Sequence, residues 1–293
     1  MERVNGFLCI DDYKRKESDY WCQYWVYING EEYYFKPTDD FYVELMGYHI
    51  AKFLGIDACY TDLAILRGEK GIISKSLRKE GVDLVAGTDI LKQYLEAFED
   101  DVSDMGYNVS KYKGDFKKAM TINSLEIIWQ ALEFKYKDKA NIEEIMHQIV
   151  KMFFLDIMLN NWDRHGENWM IEERTNDIKL APLFDWDIAL KKDFLRFKMG
   201  TSATDLSEDK FGERAFQKMF YNFFNTSASE YFDMFINMFN EVNNNFYNII
   251  RLAEKQINSK IPIKFKLQLL LNFYKIKKYI NEMIKVQENK RQR

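Results

Sequence analysis

Hydrophobic spacing divides the chain into two parts near residue 76. In the first part, aromatic and β-branched residues flank the turn dipeptide Asn29-Gly30, which predicts a β-hairpin. Helical spacing follows, and then two short apolar runs separated by a turn. The predicted elements are a hairpin over 20–37, a helix over 41–54, and strands over 62–66 and 71–74. Residues 1–76 are therefore expected to form a small lobe of antiparallel strands with one helix.

The rest of the chain predicts helices. Apolar residues recur every three or four positions, and the whole chain has only 13 Gly and 3 Pro to interrupt them. A short hairpin over 169–180 is the exception. Residues 77–293 are expected to form a large, mainly α-helical lobe, joined to the small lobe by a strand-like hinge near 74–77. The predicted helices are 89–98, 124–135, 141–159, 211–224, 229–255 and 262–286.

Composition restricts the class of protein. Of 293 residues, 47% are hydrophobic and 30% are charged, and no apolar run approaches the ~20 residues of a membrane-spanning helix. The amino terminus lacks the pattern of a secretory signal, so we expect a cytoplasmic protein with no membrane partner. The 3 Cys and 3 His have no metal-ligand spacing, which argues against disulfides and zinc and leaves Mg²⁺ with oxygen ligands.

Positive charge is concentrated at the C-terminal end. Residues 264–293 hold nine Lys or Arg and two Glu, a net charge of +7, so the preceding residues carry −11 of the total of −4. Such cations suit the negative end of a helix dipole. They would also suit an acidic partner or nucleic-acid phosphate, and direct nucleic-acid contact stays open on this evidence.

One constellation carries the candidate chemistry. Asp163 and Asn168 lie five residues apart after a predicted helix, and Asp185 follows the apolar run at 180–184. The hairpin between them would bring Asp185 back beside Asn168. A carboxylate on a loop can accept a proton from a hydroxyl, and carboxylate and amide oxygens can hold Mg²⁺, as phosphoryl transfer requires. The alternative is a charged surface turn in which Asp163 pairs with Arg164.

These residues resemble the motifs of the HipA-like serine/threonine kinases, including the short CtkA-like members. The catalytic loop of that family (Asp, any residue, His, two residues, Asn) matches residues 163–168, and its apolar-Pro-apolar-aromatic-Asp run matches 180–185. The resemblance implies an α+β, two-lobed protein-kinase-like fold that uses ATP and Mg²⁺. It makes Asp163 the catalytic base and makes Asn168 and Asp185 the Mg²⁺ ligands.

The same resemblance assigns nucleotide-binding residues in the small lobe. Lys36, before Pro37, is similar to the lysine that holds the α- and β-phosphates, and Glu44 is similar to the acid that orients it. Taken alone, Lys36 would be a surface cation at a strand end, and Glu44 an acid that favours the dipole of its first helical turn. The backbone that would meet adenine belongs to Ser74, Lys75 and Ser76.

The expected phosphate-binding loop, residues 11–19, contains no glycine. Glycines normally let backbone amides approach phosphate closely. Lys14 and Lys16 could supply point charges instead; otherwise the chain would bind ATP weakly, as a pseudokinase does.

His165 has two interpretations. It could orient the catalytic loop or steady charge on the transferred phosphoryl group, because a histidine beside a catalytic aspartate can serve either task. The alternative is a structural histidine with satisfied hydrogen bonds.

The leading functional hypothesis is a kinase that phosphorylates a Ser or Thr hydroxyl of a protein. HipA-like proteins commonly act as toxins paired with a small DNA-binding antitoxin, so the resemblance also implies a small antitoxin-like partner.

Two alternatives stay open. The loop at 163–168 also resembles that of phosphatidylinositol lipid kinases, although the run at 180–185 differs from their usual Asp-Phe-Gly. The fold could instead serve as a regulatory binding module.

Overall fold

The described part of the chain contains a seven-stranded sheet, a three-stranded sheet and seven α-helices. The structure is a computed structural model, and it confirms an α+β architecture with a sheet lobe and a helical lobe. The described residues are 3–10, 13–15, 24–98, 125–137, 141–161, 164–175, 177–186 and 229–291.

The seven-stranded sheet is formed by residues 3–75 and has the order β1-β2-β6-β7-β5-β4-β3. Its strands are β1 Arg3–Val4, β2 Phe7–Ile10, β3 Tyr13–Arg15, β4 Tyr24–Ile28, β5 Glu31–Pro37, β6 Thr61–Leu66 and β7 Glu69–Lys75. The predicted hairpin is confirmed, since Asn29 and Gly30 have φ values of 53° and 79°, as its tight turn requires. The last strand ends at Lys75, and the lobe boundary at residue 76 stays a prediction.

One pairing in this sheet differs from the prediction of an antiparallel lobe. Strand β2 pairs with β6 in parallel, with Leu8 opposite Ala64 and Ile10 opposite Leu66. The other pairings in the sheet are antiparallel. Alternation along a strand indicates which face is buried but not which distant strand lies beside it, so the sequence carried no signal for this parallel pair.

Helix α1, Phe41–Phe53, packs on the sheet face that carries Lys36. Leu45, Met46 and Ile50 on this helix are fully buried. The helix also contacts the C-terminal part of the large lobe, where the rings of Tyr42 and Phe265 lie 5.9 Å apart. Helix α1 is therefore held between the sheet and the large lobe.

The remaining helices belong to the large lobe. The helix predicted over 229–255 is wrong as a single element, because it is broken at Asn245, whose side chain donates to the carbonyl of Glu241 at 2.9 Å. The helix predicted over 211–224 lies outside the described residues. The helices are α2 Gly87–Ala97, α3 Leu125–Tyr136, α4 Ile142–Leu159, α5 Ser229–Asn244, α6 Phe246–Ile257 and α7 Ile263–Arg291. None of these described helices combines the length and the apolar character needed to cross a bilayer.

Helix α4 is the centre of the large lobe. Its last eight residues, 152–159, are all buried, including Phe153, Phe154 and Leu155. Seven of these eight residues are apolar, and a helix segment that is buried on all sides is typical of a protein core. It ends at Asn160, which adopts the left-handed conformation with φ 53°. The predicted catalytic motif thus begins where the buried end of this helix stops.

The three-stranded sheet follows the hinge. Strands β9, Met170–Arg174, and β10, Asp177–Leu180, form the predicted hairpin, which is confirmed. Strand β8, Asp83–Ala86, pairs with β9 and was not predicted. A strand of four residues is too short to show a reliable alternation of apolar and polar positions.

Candidate active site

Lys36 of the sheet lobe and Asp185 of the large lobe are in direct contact. Lys36 lies near the end of β5, and its Nζ donates to Oδ1 of Asp185 at 2.9 Å. Their side chains are 22% and 25% exposed, so both are reachable from solvent while being shielded from it. The structure therefore brings together the predicted phosphate-binding lysine and one predicted metal ligand, which are 149 residues apart in the chain.

Asp185 has an unusual backbone and a stabilised charge. Its φ of 66° lies in the left-handed region, which costs a non-glycine residue roughly 1 kcal/mol. Burial by itself would raise the pKa of its carboxyl, but Lys36, Arg164 and His165 lower the pKa below its ordinary value. The carboxylate is therefore ionised at neutral pH, as a Mg²⁺ ligand must be.

Arg164 connects three parts of the site and is buried, with 2% of its surface exposed. Its Nε and Nη2 donate to the Asp156 carboxylate on α4 at 2.8 and 3.0 Å. Its Nη1 donates to the carbonyl of Phe184 at 2.7 Å and to that of Asn168. One side chain thus links α4, the catalytic loop and the loop that carries Asp185. The alternative interpretation placed Arg164 in a charged surface turn, and the burial of Arg164 shows that this is wrong.

The Arg164–Asp156 pair is stabilised as a charged pair. Burial alone would lower the pKa of Arg164, but Asp156 outweighs it and raises the pKa above its ordinary value. Asp156 also accepts from Nδ2 of Asn161 at 2.8 Å. A buried ion pair of this kind adds little net stability compared with apolar residues, but removing one partner leaves an uncompensated charge.

Asn168 is the last residue of a short 3-10 helix, Gly166–Asn168, and His165 is the N-cap residue of that helix. Asn168 is buried, and its N–H donates to the carbonyl of His165 at 2.9 Å. Nδ1 of His165 accepts from the N–H of Glu167 at 3.2 Å. This contact ties the His165 ring to the turn that leads to Asn168, and both interpretations of His165 stay predictions.

Gly166 allows the catalytic loop to lie on the first turn of α2. A Cβ added at this position would be 2.6 Å from both the backbone N and Oγ1 of Thr88. The neighbouring Gly87 packs against the ring of Trp169 in the same way, and its N–H donates to the Trp169 carbonyl at 3.0 Å. These glycines serve close packing, a use that the sequence pattern did not indicate.

Glu44 binds the loop that carries Asp185. It is 2% exposed, and its Oε2 accepts from the N–H of Trp186 at 2.9 Å. One turn further along α1, Gly47 lies against the Trp186 ring, where an added Cβ would approach to 2.5 Å. Glu44 is therefore a buried group that contacts the loop carrying Asp185, and not an exposed first-turn acid. A glycine inside a strongly predicted helix was the available sequence signal for this packing.

The backbone before Asp185 is held from another side. The N–H of Leu183 donates to the carbonyl of Asp57 at 2.9 Å, and the carbonyl of Leu183 accepts from the N–H of Cys59 at 2.8 Å. Leu183, Phe184 and Trp186 are thus anchored by three separate parts of the protein. This anchoring explains how Asp185 keeps its left-handed conformation.

The hinge residues Ser74, Lys75 and Ser76 use much of their backbone within the protein. The N–H of Lys75 donates to the carbonyl of Tyr60 at 2.9 Å, and that of Ser76 to the carbonyl of Glu32 at 3.0 Å. These two N–H groups are therefore not available for adenine. A carbonyl of this segment or the backbone that follows it would have to make the contact, which stays a prediction.

Aromatic side chains that the sequence analysis did not assign lie beside Lys36. Tyr34, two residues earlier on β5, shares its face of the sheet, and burial raises the pKa of its hydroxyl to about 12. Its ring centroid lies 5.3 Å from that of Trp25, and the guanidinium of Arg78 lies 4.6 Å above the Trp25 ring. These groups cover the cleft next to the lysine.

Three predicted site residues cannot be placed in full. Lys14 lies on β3 opposite Trp25, but only its backbone is described. Asp163 and Lys16 lie outside the described residues. Their predicted roles as base and phosphate-binding cation therefore stay predictions.

Solved structures with the same fold include a kinase and a protein of a toxin–antitoxin system. The Helicobacter pylori proinflammatory kinase CtkA has a TM-score of 0.64 and 16% identity, and the match covers 96% of each chain. HipA of Shewanella oneidensis, solved with HipB and operator DNA, has a TM-score of 0.52 and 15% identity, over 92% of this chain and 67% of HipA. This likeness confirms the predicted kinase-like fold of the HipA and CtkA type. No curated protein matches.

A family model described as phosphatidylinositol 3- and 4-kinase matches residues 72–262, which is 191 of 293 residues. The match includes Asn168 and Asp185 but begins after Lys36 and Glu44. The matched family is that of the lipid kinases, the alternative to a protein kinase. The chain belongs to the phosphatidylinositol 3- and 4-kinase family and has the fold that CtkA and HipA share.

Proposed function

We propose that this protein is an ATP- and Mg²⁺-dependent kinase that phosphorylates a Ser or Thr hydroxyl of a protein. The observation that carries the proposal is the contact of 2.9 Å between Lys36 and Asp185. It joins a small-lobe cation and an ionised carboxylate at one point of the cleft. Phosphoryl transfer depends on such positioned charges more than on covalent chemistry by the protein.

The residues around this contact fit ATP and Mg²⁺. Lys36 would hold the phosphates, while Asp185 and Asn168 would hold the metal through carboxylate and amide oxygens. The lowered pKa of Asp185 supports this assignment. A bound Mg²⁺ ion would neutralise charge on the phosphates. Asp163, which the sequence places between Asn161 and Arg164, would accept the proton of the hydroxyl that is phosphorylated.

A protein acceptor is supported by the likeness to kinases over the whole chain. CtkA is matched over 96% of both chains, which leaves no large part of this chain without a counterpart. The structure of HipA was solved with HipB. We therefore include a small antitoxin-like protein partner, a toxin-type role and a cytoplasmic location in the proposal.

A lipid acceptor is the second candidate, because the family model that matches the chain describes phosphatidylinositol kinases. The hydroxyl of a lipid headgroup would use the same base, lysine and metal ligands. The two candidates therefore share a catalytic site and differ in what binds beside it.

The experiment is incubation of the purified protein with radiolabelled ATP and Mg²⁺, in separate reactions with candidate proteins and with phosphatidylinositol vesicles. We expect label on Ser or Thr of protein, including this protein itself. Lys36→Met and Asp163→Asn should remove the label, while Lys52→Met, an exposed lysine on α1, should retain it. Label in lipid alone would refute the protein acceptor and support the second candidate.

A binding function without catalysis makes a different prediction. If Asp163→Asn retained the full effect of the protein in cells, phosphoryl transfer would not be its function. Loss of that effect, together with loss of label, would support catalysis. Lys52→Met again serves as the control, since Lys52 is an exposed lysine that is not one of the candidate site residues.

A further inference from the structure

Helix α7 exposes a row of large apolar side chains to solvent. Ile263, Leu267, Leu271 and Tyr274 are 70%, 52%, 58% and 70% exposed. They are four of the nine large hydrophobic residues that are exposed in the described part of the chain. Single exposed apolar residues are common on proteins, but a contiguous set on one element is a feature of interaction sites. We call these four residues the α7 row.

The spacing of the row places it on one side of the helix. The intervals are four, four and three residues, so the side chains fall within about 80° of the helix circumference and span about 16 Å. The opposite side of the helix packs into the protein core, since Leu269, Phe273 and Ile276 are at most 1% exposed. Helix α7 thus has one apolar side in the core and a second one that faces solvent.

Positive charge surrounds the α7 row. Lys264 lies beside its first turn, and the same exposed side continues after Tyr274 into Lys277, Lys278 and Lys285. Among the α7 side chains that the structure describes as exposed, Glu282 is the one acid. A binding partner that complements this surface must be apolar along its centre and negatively charged at its edges.

We propose that the α7 row docks an acidic amphipathic helix of a partner protein. Intervals of four and three residues are those of packed helices, where side chains of one helix fill the gaps of the other. A helix that lies on a membrane also combines lysines with an apolar face, but the α7 row covers only about 80° of the helix circumference, a width that suits a single partner helix. A partner helix of about three to four turns would cover it.

This inference does not depend on the catalytic proposal. The row is built from helix α7 alone, and none of its residues contributes to the cleft. It would therefore hold for a protein kinase, a lipid kinase or a protein without activity. Failure of the docking proposal would not refute the catalytic proposal, and failure of the catalytic proposal would not refute docking.

The test uses the full-length protein and a fluorescein-labelled synthetic helix of about 18 residues, with Leu at helix-packing positions and Glu at the flanking ones. A second peptide carries Lys in place of Glu. Fluorescence anisotropy should show saturable binding of the Glu peptide and at least about tenfold weaker binding of the Lys peptide. Raising the salt concentration should weaken the Glu complex.

Two double variants and one control variant locate the binding to the row. Leu267→Ser with Leu271→Ser should weaken the Glu peptide at least about tenfold, because both apolar contacts are lost. Leu252→Ser, which changes a leucine of similar exposure on α6, should leave binding unchanged. Lys277→Glu with Lys278→Glu should reduce binding of the Glu peptide and increase that of the Lys peptide. Circular dichroism confirms that each variant is folded.

Several results would overturn the proposal. These are no saturable binding of the Glu peptide, equal binding of the two peptides, or equal loss in Leu252→Ser. Binding to phosphatidylserine vesicles that requires Leu267 and Leu271, without binding of the Glu peptide, would identify a membrane surface instead. Sedimentation that shows a dimer dissociated by the double serine variant would identify contact between two copies of this chain.

Discussion

Replacement of Glu44 by Gln and by Ala distinguishes two roles for this residue. Its Oε2 accepts from the N–H of Trp186 at 2.9 Å in a position that is 2% exposed. Gln keeps an acceptor oxygen and nearly the same volume, whereas Ala leaves the N–H without its acceptor. If Glu44 acts chiefly by holding this loop, the two variants should differ strongly.

The size of that difference follows from the hydrogen bond. Leaving a buried N–H unsatisfied costs about 1–3 kcal/mol, and exchanging a charged acceptor for a neutral one costs about 1 kcal/mol. Since about 1.4 kcal/mol corresponds to a factor of ten, Glu44→Ala should lower kcat/KM by roughly 5- to 140-fold, with about 25-fold at the middle of that range. Glu44→Gln should lower it by about fivefold.

The assay is steady-state phosphoryl transfer with titration of both ATP and Mg²⁺. Because Trp186 follows Asp185 directly, Glu44→Ala should raise the Mg²⁺ concentration needed for half-maximal rate more than it raises KM for ATP. Asp89→Ala, an exposed acid in the first turn of α2, should change neither. Equal losses in the Gln and Ala variants, with an unchanged Mg²⁺ requirement, would refute the reasoning and favour Glu44 as a counter-ion of Lys36.

Three further changes test other parts of the structure. Arg164→Lys keeps the charge but cannot bridge Asp156 and two carbonyls, so the free energy of unfolding in urea should fall by about 2–3 kcal/mol; an unchanged midpoint would contradict this role. Gly166→Ala places a Cβ 2.6 Å from the backbone N of Thr88, so kcat should fall more than about tenfold, and full activity would show that the loop position is not needed. Burial lowers the pKa of His49 to about 4 from 6.5, so the unfolded state binds more protons between these values and stability decreases as pH falls through them. The free energy of unfolding measured in urea should be about 2 kcal/mol lower at pH 5 than at pH 7. His49→Asn should remove most of this difference.

Local sequence signals predicted much of the architecture. The Asn29-Gly30 turn, helix α1 and the hairpin before Asp185 were all recognisable, because turn chemistry and hydrophobic spacing act between residues that are close in the chain. The break at Asn245 had a local signal in the run Asn243-Asn244-Asn245, because asparagine side chains compete for backbone hydrogen bonds, but the helical spacing on both sides concealed it. The parallel pairing of β2 with β6 was missed for a different reason, since it joins segments that are far apart in the chain.

The candidate site divides in a similar way. The motifs identified which carboxylate, amide and lysine could serve phosphoryl transfer, because residue type and short spacing determine what a side chain can do chemically. They could not show that Lys36 lies 2.9 Å from Asp185, or that Arg164 is buried on Asp156. Nor could they show that Glu44 binds the backbone of Trp186.

By itself, the sequence therefore determined the fold class, most helices and strands, and the set of groups available for chemistry. Only the tertiary structure decided which groups meet and which partner each one has. The physical reason is that burial, close packing and left-handed backbone at Asp185 arise from contacts between segments far apart in the chain. A linear pattern records the preference of each segment, whereas the pairing of segments depends on the free energy of the whole fold.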